Sequence, residues 1–423
     1  MNSPVAAPNG SSCESAEIIP SGVEEVPSDP STQERIDSRG KGQDMRIGLI
    51  STRRINIGDE FIRDGIVHCL GKIFPSRKVE LLVIHKHSPF DFYKVTRPLN
   101  GVLRHHLSAS IESKVVRHWF EAVSRRTILD GSSGIVQCGA PVFWRGMGQK
   151  GSWEAHLWSE FLPMFKGKIP IVNLGGGTCY DWRRRDDVER QTTQREIEFI
   201  NQIVRTADFS SFRDQLAASL ARKFVGGSYP TLPCPAILAP RLYEITKRGR
   251  SSFVLVSYMK AGGHYDFGDA TLYQGWDLRV KKLVEYLMEQ KEEVKFICHN
   301  RAEAKDAGEL GFGTRVQVVL PKSRRDYVHF AENAKYCVGN RMHAILTLAG
   351  MGVPGLAIGT DTRMLMVKQV ELPIMELRDA SPENILDIVE DFRLGAQATH
   401  SRLLELAESA FEAYSGWCRE MIA

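Results

Sequence analysis

Asn340, Arg341 and His343 lie close together where an apolar run, Tyr336–Val338, meets Gly339 and a helical pattern begins. Arginine can grip a phosphate or carboxylate with two parallel N–H bonds, and histidine can move a proton near neutral pH. Arg341 and His343 fall in what reads as the first turn of a helix. Backbone N–H groups there lack intrahelical partners and the dipole is positive. A strand–turn–helix junction of this kind is a ready anion site. The same residues also fit a plain helix start, with a solvated arginine and a capping histidine. Other candidates are spread along the chain. Asp59 and Glu60 open a helix after the first strand, Arg213 and Asp214 open another, and His299, Asp361 and Arg363 each follow a strand. Gly176 and Thr178 belong to the run Gly175–Thr178, read as a loop whose amides could hold an anion or which simply turns tightly. No Gly-Lys-Ser/Thr follows it, and it lacks the G-x-G-x-x-G order of a dinucleotide site.

Apolar runs alternate with helical patterns along most of the chain. Strands are expected at Arg46–Ser51, Val79–His85, Gly134–Gly139 and Ile169–Leu174. A Gly- and Pro-rich break, Gly226–Pro240, reads as the interdomain linker. Further strands are expected at Ser252–Ser257, Val294–Cys298, Arg315–Leu320, Lys335–Val338 and Gly355–Gly359. Between strands, Ile62, Ile66, Val67 and Leu70 recur at helical spacing, as do Trp276, Val280, Leu283, Val284 and Leu287. Residues 183–206 read as one charged helix. The chain from Pro382 onward reads as helical, with Leu403, Ala407, Phe411, Tyr414 and Cys418 on one stripe. This α/β alternation predicts parallel sheets with ligands at the C-terminal strand ends. The expected organisation is a disordered, acidic, Ser/Pro/Gly-rich tail over residues 1–44, Rossmann-like domains over 45–235 and 236–395, and a helix over 396–423 packing across both.

With 423 residues, 43% apolar and 25% charged, the composition is that of an ordinary globular protein of two domains. The formal charge is +4, and residues 1–44 carry eight acids against three bases, so the body is about +9. That suits a small anionic substrate. No dense Lys/Arg run interleaved with aromatics appears, which argues against nucleic acid. Eight scattered cysteines without C-x-x-C or zinc spacing point to reduced core thiols and a cytoplasmic location. No 18-residue apolar stretch and no signal-peptide pattern occurs, so no transmembrane segment is expected. His85, His87, His105, His106 and His118 have no Cys or carboxylate at ligand spacing, so no metal site is expected. Trp144, Trp153 and Trp158 place aromatic faces near strand ends, where sugar rings could stack.

The run Val338–Ala344, followed by Leu348–Gly355, resembles the C-terminal signature of the polysaccharide pyruvyl transferase family: Arg-Leu/Met-His-Ala with a downstream Gly-x-Pro. Three further stretches are similar to family motifs in the same order: Asn56-Ile57-Gly58-Asp59-Glu60, Ser211-Phe212-Arg213-Asp214 and Thr360-Asp361-Thr362-Arg363. The resemblance implies a glycosyltransferase-B-like arrangement, with two Rossmann-like domains facing one cleft. It implies transfer of a pyruvyl (carboxyvinyl) group from phosphoenolpyruvate (PEP) to hydroxyls of a saccharide or glycoconjugate, releasing phosphate without a cofactor. Asn340, Arg341, Arg213, Arg363 and His299 would then bind PEP, and His343, Arg341 and Asp361 would serve catalysis. Asn56, Asp59, Glu60, Gly176 and Thr178 would face the acceptor. Met342 stands where Leu is frequent, and the first-half loops match poorly, which leaves the acceptor open. Assembly into a homo-oligomer is left open too. Two rivals remain. One is a nucleotide-sugar glycosyltransferase of the same fold, although its E-x-x-x-x-x-x-E pattern near the central loop is missing. The other is a non-catalytic family member binding biosynthetic partners, which would be expected to have lost Arg341 or His343.

Overall fold

The computed structural model describes residues 44–52, 57–89, 129, 131–246, 249, 252–260, 271 and 273–422. The acidic tail up to residue 43, Asn56, and His105, His106 and His118 lie outside the described residues.

The first half builds β1 (Met45–Ser51), α1 (Ile57–Ile73), β2 (Val79–His85), β3 (Gly134–Trp144), β4 (Ile171–Cys179), α2 (Gln194–Thr206), β5 (Phe209–Phe212) and α3 (Gln215–Val225). The second half builds β6 (Phe253–Ser257), α4 (Trp276–Glu289), β7 (Val294–Ile297), α5 (Arg301–Glu309), β8 (Gln317–Val319) and α6 (Arg324–Ala331). It continues with β9 (Ala334–Gly339), α7 (Met342–Ala349), β10 (Gly355–Gly359), β11 (Ile374–Glu376) and the long α8 (Pro382–Ile422). The strands form two parallel sheets, in the orders β2-β1-β3-β4-β5 and β11-β10-β9-β6-β7-β8. Helices cover both faces, so the central strands read as apolar runs and do not alternate; β6 and β10 are buried at every position. Chain order reverses beside β1 in the first sheet and beside β6 in the second. Ligand crevices open at such points, beyond the carboxyl ends of the strands.

Two local expectations are corrected. Gly175–Thr178 is not a loop: β4 runs through it, because β3 and β4 stay paired from Ile135–Ile171 to Trp144–Cys179 across a shift at Pro141/Phe143. Residues 183–206 are not one helix. A 3-10 segment spans Trp182–Asp187 and a short helix Val188–Gln191, after which Thr193 starts α2 afresh in a capping box with Glu196.

Helix α1 is buried on nearly every side. It packs on its sheet and also on α7, α8 and the 3-10 turn Pro235–Leu238. That turn lies in the Gly- and Pro-rich break, yet Ala236, Ile237 and Leu238 are fully buried. Two glycines permit the approach. A Cβ on Gly65 of α1 would stand 1.9 Å from the Pro235 carbonyl oxygen, and one on Gly350 would stand 1.8 Å from that of Ile237. One apolar cluster therefore runs from Leu49 and Val136 through Ile237 to Leu346 and Ala357. In α8, Leu403, Ala407, Tyr414 and Cys418 are buried. The Tyr414 hydroxyl donates to the Pro233 carbonyl at 2.9 Å, and Trp417 stacks on Phe209 with centroids 4.3 Å apart.

Candidate active site

Every residue of α7 except His343 is buried, because the helix is sandwiched between its own sheet and α1. His343, the second residue of α7, projects across the gap between the two crevices. A Cβ on Gly58, at the start of α1, would lie 2.5 Å from the imidazole Nδ1, so only glycine admits the ring there. On its other side the ring meets Arg213, whose Nη1 lies 3.3 Å from Nε2. A guanidinium can only donate, so Nε2 is the acceptor and the neutral ring carries its proton on Nδ1. Burial, with the positive charge of Arg213 next, pushes the His343 pKa down to about 3, against the pull of Asp59. The ring is therefore neutral at physiological pH.

Arg213 is only 1% exposed. Its backbone N–H donates to the Gly176 carbonyl at 2.8 Å, and Nη1 also lies 3.7 Å from the Cys234 sulfur. Its Nη2 is buried without a hydrogen-bond partner, and among the described residues no carboxylate comes within ion-pair distance. The neighbouring Asp214 is engaged elsewhere. It caps α3 through the Ala217 N–H at 2.8 Å and accepts the Thr178 N–H at 2.8 Å, while burial raises its pKa. An isolated buried cation is costly. Arg213 stands instead against a neutral histidine, at 3.3 Å.

Asp59, in the first turn of α1, faces the same space. Burial opposes its charge, but Lys86 above all, with His343 and Thr52, holds its carboxyl well below the usual carboxylate range. Lys86 Nζ donates to Oδ2 at 2.8 Å and Thr52 Oγ1 donates to the same oxygen at 2.6 Å.

The remaining expected residues are drawn into pairs. Arg341, the N-cap position of α7, is ion-paired with the buried Glu303, which also accepts the His299 N–H at 2.9 Å. His299 Nε2 lies 3.3 Å from the Tyr327 hydroxyl. Asn340 spends its amide on the backbone of Met259, accepting from its N–H and donating to its carbonyl, both at 3.0 Å. Arg363 grips Asp361 with Nε at 2.8 Å and Nη2 at 2.5 Å. Glu60 turns away from Asp59 to Arg324 of α6, at 3.3 Å. Gly176 and Thr178 are buried in β4. The Thr178 hydroxyl lies 2.8 Å from that of Thr362, which also accepts the Tyr180 N–H at 2.9 Å. Thr362 N–H donates to the Tyr180 carbonyl at 2.9 Å and Trp182 N–H to the Thr360 carbonyl at 3.0 Å. The end of β4 is thus sewn to the exit of β10. Arg213 touches His343, whose ring packs on Gly58 next to Asp59, whereas Thr178 and Thr362 tie the ends of β4 and β10 together.

Lys86 and Glu303 escaped the sequence reading. Lys86 sits just past the C-terminal end of β2 and Glu303 in the first turn of the helix that follows β7, and those positions were the available signal. Among the described residues no group of His, Cys, Asp and Glu could hold a metal ion, and no helix is long and apolar enough to cross a membrane.

The family model for polysaccharide pyruvyl transferase matches residues 56–362. No curated protein matches the chain. Among solved structures, a putative UDP-N-acetylglucosamine 2-epimerase from Listeria monocytogenes is similar, at 14% identity over 86% of this chain and 91% of that one, with a TM-score of 0.50. The UDP-GlcNAc 2-epimerase from Neisseria meningitidis bound to UDP-GlcNAc is similar at 10% identity over 87% and 99%, again with a TM-score of 0.50. At such identities the likeness establishes the fold, a pair of parallel-sheet halves of glycosyltransferase-B type.

Proposed function

The chain belongs to the polysaccharide pyruvyl transferase family, and from that membership we propose that it moves a pyruvyl group from PEP to hydroxyls of a saccharide or glycoconjugate. The observation that carries this reading is Arg213, a buried guanidinium with no carboxylate at ion-pair distance among the described residues, touching a neutral histidine. PEP packs three negative charges around one carbon and needs fixed cations and oriented donors. Arg213 supplies the first of these, and the N-terminal turn of α7 supplies donors.

In this reading the arriving anion draws Arg213 away from Nε2 and its charge raises the affinity of His343 for a proton. His343 then delivers a proton from Nε2 to the methylene carbon of PEP, leaving the central carbon electrophilic. An acceptor hydroxyl adds there and loses its proton, and the C–O bond to phosphate breaks. A second hydroxyl adding to the same carbon closes a ketal and releases a second proton, which leaves with phosphate. Asp361, Asp59 and Glu60 were the candidate hydroxyl bases; Arg363 holds Asp361 in a two-point ion pair and Lys86 holds Asp59 by one oxygen only. The reaction is driven through protein groups alone, with Arg213 stabilising the departing phosphate.

The test is a melting-temperature panel of PEP, phosphate, UDP, GDP and CMP. A ligand at 100 times its Kd adds about 2.7 kcal/mol. Stabilisation by PEP and not by the nucleotides supports pyruvyl transfer. Stabilisation by a nucleotide alone replaces it with a nucleotide-sugar transferase.

A further inference from the structure

Lys86 is the first residue beyond β2 and is 5% exposed. Lysine is rarely buried so completely unless it is paired. Here it is held from two sides. Its ammonium donates to Asp59 Oδ2 at 2.8 Å and stands 5.4 Å from the ring centroid of Trp153. Trp153 is itself fixed, stacked on Trp144 at 5.5 Å with planes 17° apart and flanked by the His87 ring at 4.8 Å. These aromatics line the C-terminal edge of the first sheet, but both faces of Trp153 are taken, so it serves here as a wall behind Lys86. Thr52, just beyond β1, donates to the same Asp59 oxygen. Asp59 Oδ2 thus takes two bonds, while Oδ1 takes none from the described residues.

We infer that Lys86 is a positioning residue: it anchors Asp59 by one oxygen, so that a fixed, ionised carboxylate stands beside His343 to balance the proton that this histidine takes and gives. The catalytic part rests on the pyruvyl-transfer reading; the anchoring does not. The titratable groups around Asp59 are Lys86 and His87 from the end of β2, His343 from α7, the Cys234 thiol and, beyond His343, Arg213 and Arg363; on its own helix Glu60 and Arg63 pair with each other at 3.8 Å. Lys86 is the counter-ion in direct contact, so its loss leaves burial as the dominant influence on the Asp59 carboxyl.

The experiment follows the Asp59 carboxyl carbon by NMR in protein labelled with carbon-13 aspartate, assigned by its loss in D59N. In the unsubstituted protein the group stays ionised between about pH 4 and pH 8. In K86M it titrates inside that window, and in K86R it does not. Where PEP turnover is measurable, K86M lowers kcat about tenfold at pH 6 with KM for PEP within about threefold. The acid limb of its pH profile moves up with the carboxyl, and K86R restores both. An Asp59 carboxyl that stays ionised in K86M at pH 4, or a K86M profile parallel to the parent at every pH, overturns the inference. Should K86M fail to fold, T52V removes the other bond to Oδ2 and is expected to shift the carboxyl upward by less; no shift there overturns it equally. Titration as expected with no PEP turnover in any form would remove the pyruvyl-transfer reading and leave the anchoring in place.

Discussion

His343→Gln isolates the energetic consequence of holding a histidine neutral against an arginine. The glutamine amide oxygen can still accept from Arg213, so the change removes a titration and little else. In the unfolded chain the imidazole binds a proton below its ordinary value of 6.5; in the folded protein it does so only below about 3. Between those values the unfolded state holds the extra proton, so stability falls as the pH falls, by about 1.4 kcal/mol per unit. From neutral pH down to pH 5 the parent protein should therefore lose about 2 kcal/mol more than H343Q. Asp59 adds its own loss only at lower pH, since its folded pKa lies below the usual range and its contribution is lost as the pH falls through that value. Urea unfolding of both proteins at pH 7.5, 6 and 5 measures the difference. Curves that converge toward pH 5 agree with a neutral, buried-face imidazole. Parallel curves would refute it, and the assignment of Nδ1 as the protonated nitrogen would fall with them.

Thr362→Val keeps shape but strands the Tyr180 N–H and leaves the Thr178 hydroxyl only Asp214, at 3.2 Å. A loss of about 1–3 kcal/mol in urea unfolding is expected, and an unchanged midpoint would mean the seam between β4 and β10 contributes nothing. Gly350→Ala drives a methyl into the Ile237 carbonyl. It should cost about 1–3 kcal/mol or more, read as a lowered melting temperature, while Gly308→Ala, with open space at its Cβ, should cost nothing and serves as the control.

The alternation of strands and helices was legible because apolar runs buried on both faces announce themselves without any partner in view. Helix α1 and the periodic residues of α4 followed for the same reason. The glycine run of β4 was misread because glycine composition signals a turn, whereas the pairing of β4 with β3 overrides that signal from outside the segment. Site residues divided in a similar way. Residue type and a place at a strand end nominated Arg213, Asp59 and His343, which lie near one another in the fold. The same logic could not distinguish them from Arg341, Arg363 and Asn340, whose side chains are taken up by Glu303, Asp361 and the Met259 backbone. Whether an arginine meets a carboxylate depends on tertiary neighbours that no local pattern encodes. Lys86 carried only its place just past β2; the burial of its ammonium against Asp59 and Trp153 is what marks it.

The central claim is that the cleft holds PEP through Arg213. Calorimetric titration of PEP into the parent protein and Arg213→Met, with melting curves of both, tests it most directly. PEP binding should weaken by about 2–4 kcal/mol, since the lost bonds are charge-assisted and desolvated. The melting temperature without ligand should hold or rise, because methionine replaces a buried cation with no carboxylate at ion-pair distance among the described residues. Unchanged PEP affinity in Arg213→Met would contradict the account, whatever else the protein binds.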